Sequence, residues 1–262
     1  ASLQDRANDQ LDDSPYGAAY QRTGTLETVE VADTAGMLPT AGWQARRFDG
    51  SEELGLAAVR DAAVGRERQD GPPDGDYRVE TSDEFDTVIR GGTPIALGSG
   101  LGIDDFDAVS LLGADCDRLG IDVISAGNVA AVAIAAAERD LIDRELTFGD
   151  SDAVRSLLDE IATRSTDLGE TLSQGVGSAA AALAVAPLIP SVKAMAVPSF
   201  DPRGVPAMAL AYATSDRGAC HRRAIPATVE AFTPDWTPTQ LAGRLAVEQD
   251  RQIPDCSRFI LL

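Results

Sequence analysis

The sequence predicts a mainly α-helical protein, and three observations carry that prediction. Apolar residues recur at three- and four-residue spacing along residues 104–119 and 152–164, which gathers them on one helical face. Residues 128–140 are rich in alanine, the strongest helix former. Strand-like alternation is confined to a single short stretch between residues 69 and 92.

The elements follow in order. Residues 1–21 are polar and read as a poorly ordered lead-in. Short helical patches are expected between Gly24 and Gly65. Residues 69–92 concentrate Gly, Pro and Asp (D-G-P-P-D-G-D) before Tyr77, Val79, Val88 and Ile89, which reads as a loop with a short hairpin. In 104–119 the helical face is Phe106, Val109, Leu112 and Cys116, and Gly120 stops the helix. The alanine-rich helix 128–140 is narrow enough to pack tightly. Residues 152–164 present Val154, Leu157, Leu158 and Ile161 on one face. Residues 168–185 are expected to be helical despite Gly169, Gly175 and Gly177. The proline-bounded segment 187–198 looks like a junction, dividing the chain into domains 1–190 and 191–262. A last helix, 237–249, has Thr237 as N-cap and Pro238 at its first position. No internal repeat stands out.

A chain of 262 residues can bury a sizeable core. Its 42 acidic and 22 basic residues give a net charge of −20, which argues against nucleic acid as a partner. The favoured reading is a surface of carboxylates that stays hydrated in concentrated salt, where a Debye length of about 3 Å makes self-repulsion cheap. A binding face for a basic partner is the alternative. Arginine supplies 21 of the basic residues, and Lys193 is the one lysine. The three cysteines, Cys116, Cys220 and Cys256, have no C-x-x-C spacing, which suits a reducing, cytoplasmic compartment rather than a disulfide framework. The longest apolar stretches, 129–137 and 179–189, fall short of the ~18 residues of a membrane span and read as core helices; no leader pattern is visible.

Chemistry concentrates in residues 201–221, D-P-R-G-V-P-A-M-A-L-A-Y-A-T-S-D-R-G-A-C-H. Pro202 and Gly204 mark a tight turn. A small apolar run, 208–213, leads to a break at Gly218. The break delivers Cys220 and His221, the chain's one histidine, beside Arg217, Arg222 and Arg223. An imidazole among guanidinium groups suits an anionic ligand.

The D-P-R-G and R-G-A-C-H segments closely resemble those of the aldehyde:ferredoxin oxidoreductases, which are tungsten-pterin enzymes. The resemblance extends in order through G-T-L-E-T-V-E-V-A-D-T-A-G-M-L-P-T from Gly24, L-G-S-G-L-G-I-D-D-F-D from Leu97, D-R-L-G-I-D-V-I-S-A-G-N from Asp117, Phe148-Gly149-Asp150 and Val192-Lys193. It covers roughly residues 22 to 260, and several ordered matches are far more specific than one. It implies the irregular helical domains two and three of that family. The family's amino-terminal β-rich base domain has no counterpart here, so the chain reads as a carboxy-terminal portion that needs that segment or a partner chain to hold the metal.

The resemblance also implies site residues. Asp117, Gly120 and Asp122 match the family's pterin-binding pattern D-x-x-G-L-(C/D); without that match the favoured reading is a helix C-cap followed by a buried strand-like turn. His221 matches the active-site histidine that passes protons near the tungsten. Arg223 falls where the family has a basic pterin or phosphate contact, with a solvated surface arginine as the plain alternative. Cys220 reads as a small buried residue. Asp255 opens the candidate for the second pterin pattern, but Arg258 replaces its glycine and Ile260 its cysteine, leaving Cys256 four residues early as a weak candidate ligand. The family's C-x-x-C-x-x-x-C run is missing, so the thiolates a [4Fe-4S] cluster takes are absent. Gly92 stands where the family places a glutamate near the metal. The implied activity is oxidation of aldehydes to carboxylic acids at a tungsten-bispterin (molybdopterin-type) centre, with electrons passing to a ferredoxin-like acceptor. The alternative is a non-catalytic relic that keeps the fold as a binding or assembly partner.

Overall fold

A computed structural model describes residues 23–26, 28–64, 77–83, 86–221 and 226–227. Helices dominate: α1 (Thr28–Thr34), α2 (Leu56–Ala62), α3 (Phe106–Leu119), α4 (Val123–Ala137), α5 (Ser151–Thr163), α6 (Asp167–Ser173), α7 (Val176–Ala182) and α8 (Pro206–Thr214). Two antiparallel hairpins complete the described residues. One pairs β1 (Tyr77–Glu80) with β2 (Asp86–Ile89), the other β3 (Ser191–Val192) with β4 (Met195–Ala196). The mainly α architecture is the one expected.

Acidic and hydroxyl side chains start four of the helices. Asp105 accepts from the Asp107 and Ala108 amides at 3.0 and 3.2 Å to open α3. Asp122 accepts from Ser125 at 2.8 Å to open α4, Asp150 from Ala153 at 3.0 Å to open α5, and Thr166 from Gly169 at 3.0 Å to open α6. Each satisfies a donor that the first turn leaves orphaned and places an oxygen at the positive end of the helix dipole.

Helix α4 is the centre of the core. Every residue from Ala126 to Ala136 is buried, and the segment 94–101, α5, α6, α7 and β4 pack around it. Segment 94–101 begins as a wide turn at Pro94–Gly98 and tightens over Ser99–Leu101. Its approach to α4 depends on Gly127, since a Cβ there would lie 2.3 Å from the Ala96 carbonyl oxygen. One continuous buried cluster runs from Val29 in α1 to Ala227, drawing on residues either side of position 190. A second, smaller cluster of Leu26, Val59, Ala63, Tyr77, Val79 and Ile89 holds α2 against the first hairpin.

Four elements differ from the sequence reading, one being the second hairpin, β3–β4, inside the expected junction 187–198. Helix α4 starts at Val123, five residues earlier than expected, because Asp122 caps it directly after Gly120 has ended α3. The expected helix over 168–185 is two helices, broken where Gly175 takes a φ of 87°. The apolar run after D-P-R-G is helix α8, with Pro206 in its first turn. No single described helix is long and apolar enough to cross a membrane, and the apolar α3–α4 pair is bent by 110°. The expected lead-in 1–21 and the last helix 237–249 lie outside the described residues.

Candidate functional site

His221 closes the loop 215–221, which follows α8. Its imidazole and the Phe200 ring make a T-shaped contact, with ring centroids 6.0 Å apart and an interplanar angle of 66°. Aromatic pairs favour this geometry because a positive edge meets a negative face. Phe200 is itself fixed. Its carbonyl accepts from the buried Tyr212 hydroxyl at 3.2 Å, and burial pushes that phenol above its ordinary range. Cys220 is buried, with the Arg217 guanidinium 3.9 Å from its sulfur.

The residue after Phe200 begins the D-P-R-G turn, and this turn is a clamp. Asp201 is fully buried, and its amide donates to the Met37 carbonyl at 2.8 Å. The Arg203 guanidinium holds both Asp201 oxygens and reaches the Trp43 carbonyl at 2.7 Å. Burying that carboxylate is tolerable because the guanidinium and the backbone satisfy it. Gly204 passes so close to Gly36 that a Cβ would sit 2.1 Å from the Gly36 carbonyl oxygen.

The clamp grips an unusual loop. Ala41, Gly42 and Trp43 all take left-handed backbone conformations, with φ of 44°, 59° and 68°. Such residues persist only where surroundings over-determine them. Here the Ala41 and Gly42 amides donate to the Ser99 and Gly100 carbonyls, both at 2.8 Å. The Trp43 indole donates to Asn128 Oδ1 at 3.0 Å, and Asn128 Nδ2 donates to the Ile124 and Val197 carbonyls at 2.9 and 3.4 Å. Asn128 thereby joins the start of α4 to the strand that leads into Phe200.

The turn between α3 and α4 carries the other matched residues. Gly120 has φ 70° and ends α3, with amides of Gly120 and Ile121 donating to Asp117 and Cys116 carbonyls. Asp117, Gly120 and Asp122 are all exposed, and a Cβ at Gly120 would meet nothing within 4 Å. Asp117 Oδ2 accepts from the Thr87 hydroxyl at 3.4 Å, and Asp122 caps α4. Gly92 packs near the same place, its Cβ direction 3.8 Å from the Ile124 side chain. The described contacts form two separate groups, one joining the His221 ring to Phe200 and the other joining Val197 to Asn128 and Ile124 at the start of α4. Arg223, Asp255 and Cys256 lie outside the described residues.

Two groups can be tested against these donors. The open turn, with two exposed carboxylates able to accept from ring and amino N–H groups, fits a polar heterocycle such as a pterin. Among the described residues, Cys116 and Cys220 do not supply the four thiolates of an iron–sulfur cubane. Cys116 is pushed up to about 12 by burial and then by Asp117, Asp115 and Asp122, which disfavours the thiolate a cluster requires. No group of three or more His, Cys, Asp or Glu among the described residues is placed to hold a metal ion.

The family model described as "Aldehyde ferredoxin oxidoreductase, domains 2 & 3" matches residues 2–255. The chain belongs to this family. Relatives include the tungsten-containing aldehyde ferredoxin oxidoreductases of Thermococcus kodakarensis and Pyrococcus furiosus, each 28% identical over 235 residues, or 84% of this chain and 38% of the relative. The enzyme of the same description from Pyrococcus horikoshii is 29% identical over 227 residues. The chain thus spans well under half the length of the curated relatives it matches.

Nothing in the spacing marks Trp43, Asn128 and Phe200 as builders of the site, whereas Asp201 and Arg203 stand in the D-P-R-G motif already singled out and only their pairing is new. Other signals existed for two of the first three. Asn128 is a lone amide among alanines, and Trp43 is one of two tryptophans in the chain.

Proposed function

We propose that this chain forms the helical part of an aldehyde-oxidising tungsten-pterin oxidoreductase and lacks an iron–sulfur cluster of its own. The supporting observation is the family match across nearly the whole chain, with the 201–221 segment intact and its histidine held by a dedicated aromatic contact. Asp117, Gly120 and Asp122 would accept hydrogen bonds from the pterin, and Arg223 and Asp255 would add contacts to it. The bound tungsten-pterin supplies the two-electron chemistry that converts an aldehyde to a carboxylic acid.

The chain's own contribution is placement and proton handling. Conversion of an aldehyde and water to a carboxylic acid releases protons together with the electrons. A neutral imidazole accepts a proton at its unprotonated ring nitrogen and passes it on, so His221 serves as the general base. Phe200 keeps water off one side of that ring and limits its rotation. The electrons leave by a carrier outside this chain, since its cysteines cannot assemble a cubane.

The test is metal analysis of full-length native protein from tungstate-supplied cells, with Asp122→Asn alongside. Asparagine caps a helix as well as aspartate, so this variant keeps α4 and removes only the charge. Tungsten in the native protein and its loss in D122N are expected, with no broad visible absorption of a cluster. Equal tungsten in both would refute the role of Asp122.

The non-catalytic reading has one observation in its favour: Gly92 and the missing cysteines remove both an acid and an electron exit. Protein free of tungsten and molybdenum after cofactor-replete expression would establish it.

A further inference from the structure

The His221 loop is fastened at its start by the chain's one lysine, and the fastening is independent of the contacts described above. Lys193 sits in the two-residue turn of the β3–β4 hairpin. Its ammonium donates to the Ser215 carbonyl at 3.1 Å and to the Asp216 carbonyl at 3.0 Å. These carbonyls are the first beyond helix α8, where a cation also complements the negative end of the dipole. The Ser215 hydroxyl is buried without a hydrogen-bond partner, so the residue's own side chain does not secure the turn.

The turn that presents Lys193 is strained and braced. Lys193 and Ala194 have φ of 52° and 63°, the left-handed pair that a two-residue hairpin favours and that usually selects Asn-Gly. Two glycines pack closely against it. A Cβ at Gly177 of α7 would lie 2.8 Å from Ala194 Cα, and one at Gly218 would lie 2.7 Å from the Val192 carbonyl oxygen. Gly218 belongs to the His221 loop, so hairpin and loop interlock.

Composition sharpens the point. With 21 arginines and one lysine, arginine serves as the cation everywhere else in this chain. A compact ammonium with three freely rotating donors can bridge two successive carbonyls that a planar guanidinium fork fits poorly.

We propose that Lys193 is a positioning residue for His221, setting the loop 215–221 so that the imidazole makes its T-shaped contact with Phe200. This rests on His221 being a site residue. The test reads loop geometry alone, so a failure to find tungsten and a failure of this proposal are separate results.

Because the chain holds one histidine, its imidazole proton signals are unambiguous in NMR spectra of the 262-residue chain. Wild type is expected to show a through-space contact between the Phe200 and His221 rings. Lys193→Met should lose that contact, and Lys193→Arg should not restore it. Reductive dimethylation of the folded wild type supplies a route that cannot disturb folding. It modifies this one side-chain amine besides the amino terminus, keeps the charge and leaves a single N–H donor, so it should also abolish the contact. Retention of the ring contact in K193M or in the dimethylated protein, or its full recovery in K193R, overturns the proposal.

Discussion

Gly127→Ala should destabilise this protein although helix propensity favours it. Within an exposed helix the exchange gains about 0.8–1 kcal/mol. Gly127 instead lies at the closest approach of α4 to the segment 94–101. An added Cβ would be 2.3 Å from the Ala96 carbonyl oxygen, 2.8 Å from its carbon and 3.2 Å from its Cβ. All three belong to backbone or to a side chain with no rotamer to change. Ordinary contact begins near 3.4 Å, so helix and segment must part by roughly an ångström.

Overpacking of a dense core costs about 1–3 kcal/mol, and separation of the two backbones sits toward the upper end. Net of propensity, a loss of about 1–2 kcal/mol is expected, or roughly 2–8 °C in melting temperature for a domain of this size. Thermal and urea unfolding followed by far-ultraviolet circular dichroism measure it. Ser125→Ala, at an exposed position of the same helix, is the control and should change stability little. A G127A variant as stable as wild type, or more so, would refute the packing argument. Because Asn128 is the next residue, the same variant should also disturb the Trp43 indole and shift its fluorescence.

Three further outcomes follow from the same contacts. Asn128→Leu strips the buried Trp43 N–H of its acceptor and should cost about 1–3 kcal/mol, read by urea denaturation with a shift in tryptophan emission. Glu160 accepts two bonds from Arg144, at 2.8 and 3.0 Å, and one from Thr166 at 2.7 Å, which hold its carboxyl below the usual carboxylate range. A depressed folded-state pKa contributes stability that is fully present well above 4.5 and is lost as the pH falls below it, so Glu160→Gln should flatten the acid limb of a stability–pH curve and cost about 1 kcal/mol near neutrality. Cys116, pushed up to about 12, should resist thiol reagents at pH 8 in the folded protein and react on unfolding, checked by mass-spectrometric peptide mapping.

What was legible in the sequence was local. Helices α3 and α5 show their apolar periodicity and their caps, so their bounds fall within about two residues of expectation. The start of α4 was hidden because its first turn, Val123 to Gly127, carries a glycine whose reason is a neighbour some thirty residues earlier in the chain. The break in 168–185 was hidden because three glycines there do different jobs. Gly169 and Gly177 allow close packing inside helices, and only Gly175 takes the left-handed backbone that ends one. In the candidate site, motif residues were readable, but their holders were not. Trp43, Asn128 and Phe200 act through hydrogen bonds and ring contacts across 85 or 21 positions, and no spacing rule encodes those.

The aspartate turn shows why family motif and fold cannot be separated here. Asp122 caps α4 through one carboxylate oxygen and is itself exposed, and Gly120 both ends α3 and keeps the turn uncovered. A helix start needs one carboxylate oxygen, which leaves the other available to a ligand at no structural cost. The bland reading and the ligand reading therefore draw on the same atoms and do not compete. What distinguishes them is the charge, because asparagine satisfies the cap and halves the acceptor set. The same division runs through the His221 loop, where Asp201 and Arg203 hold the fold while Phe200, one residue earlier, faces the imidazole. In this chain, positions that look redundant as structure are where the function is to be sought.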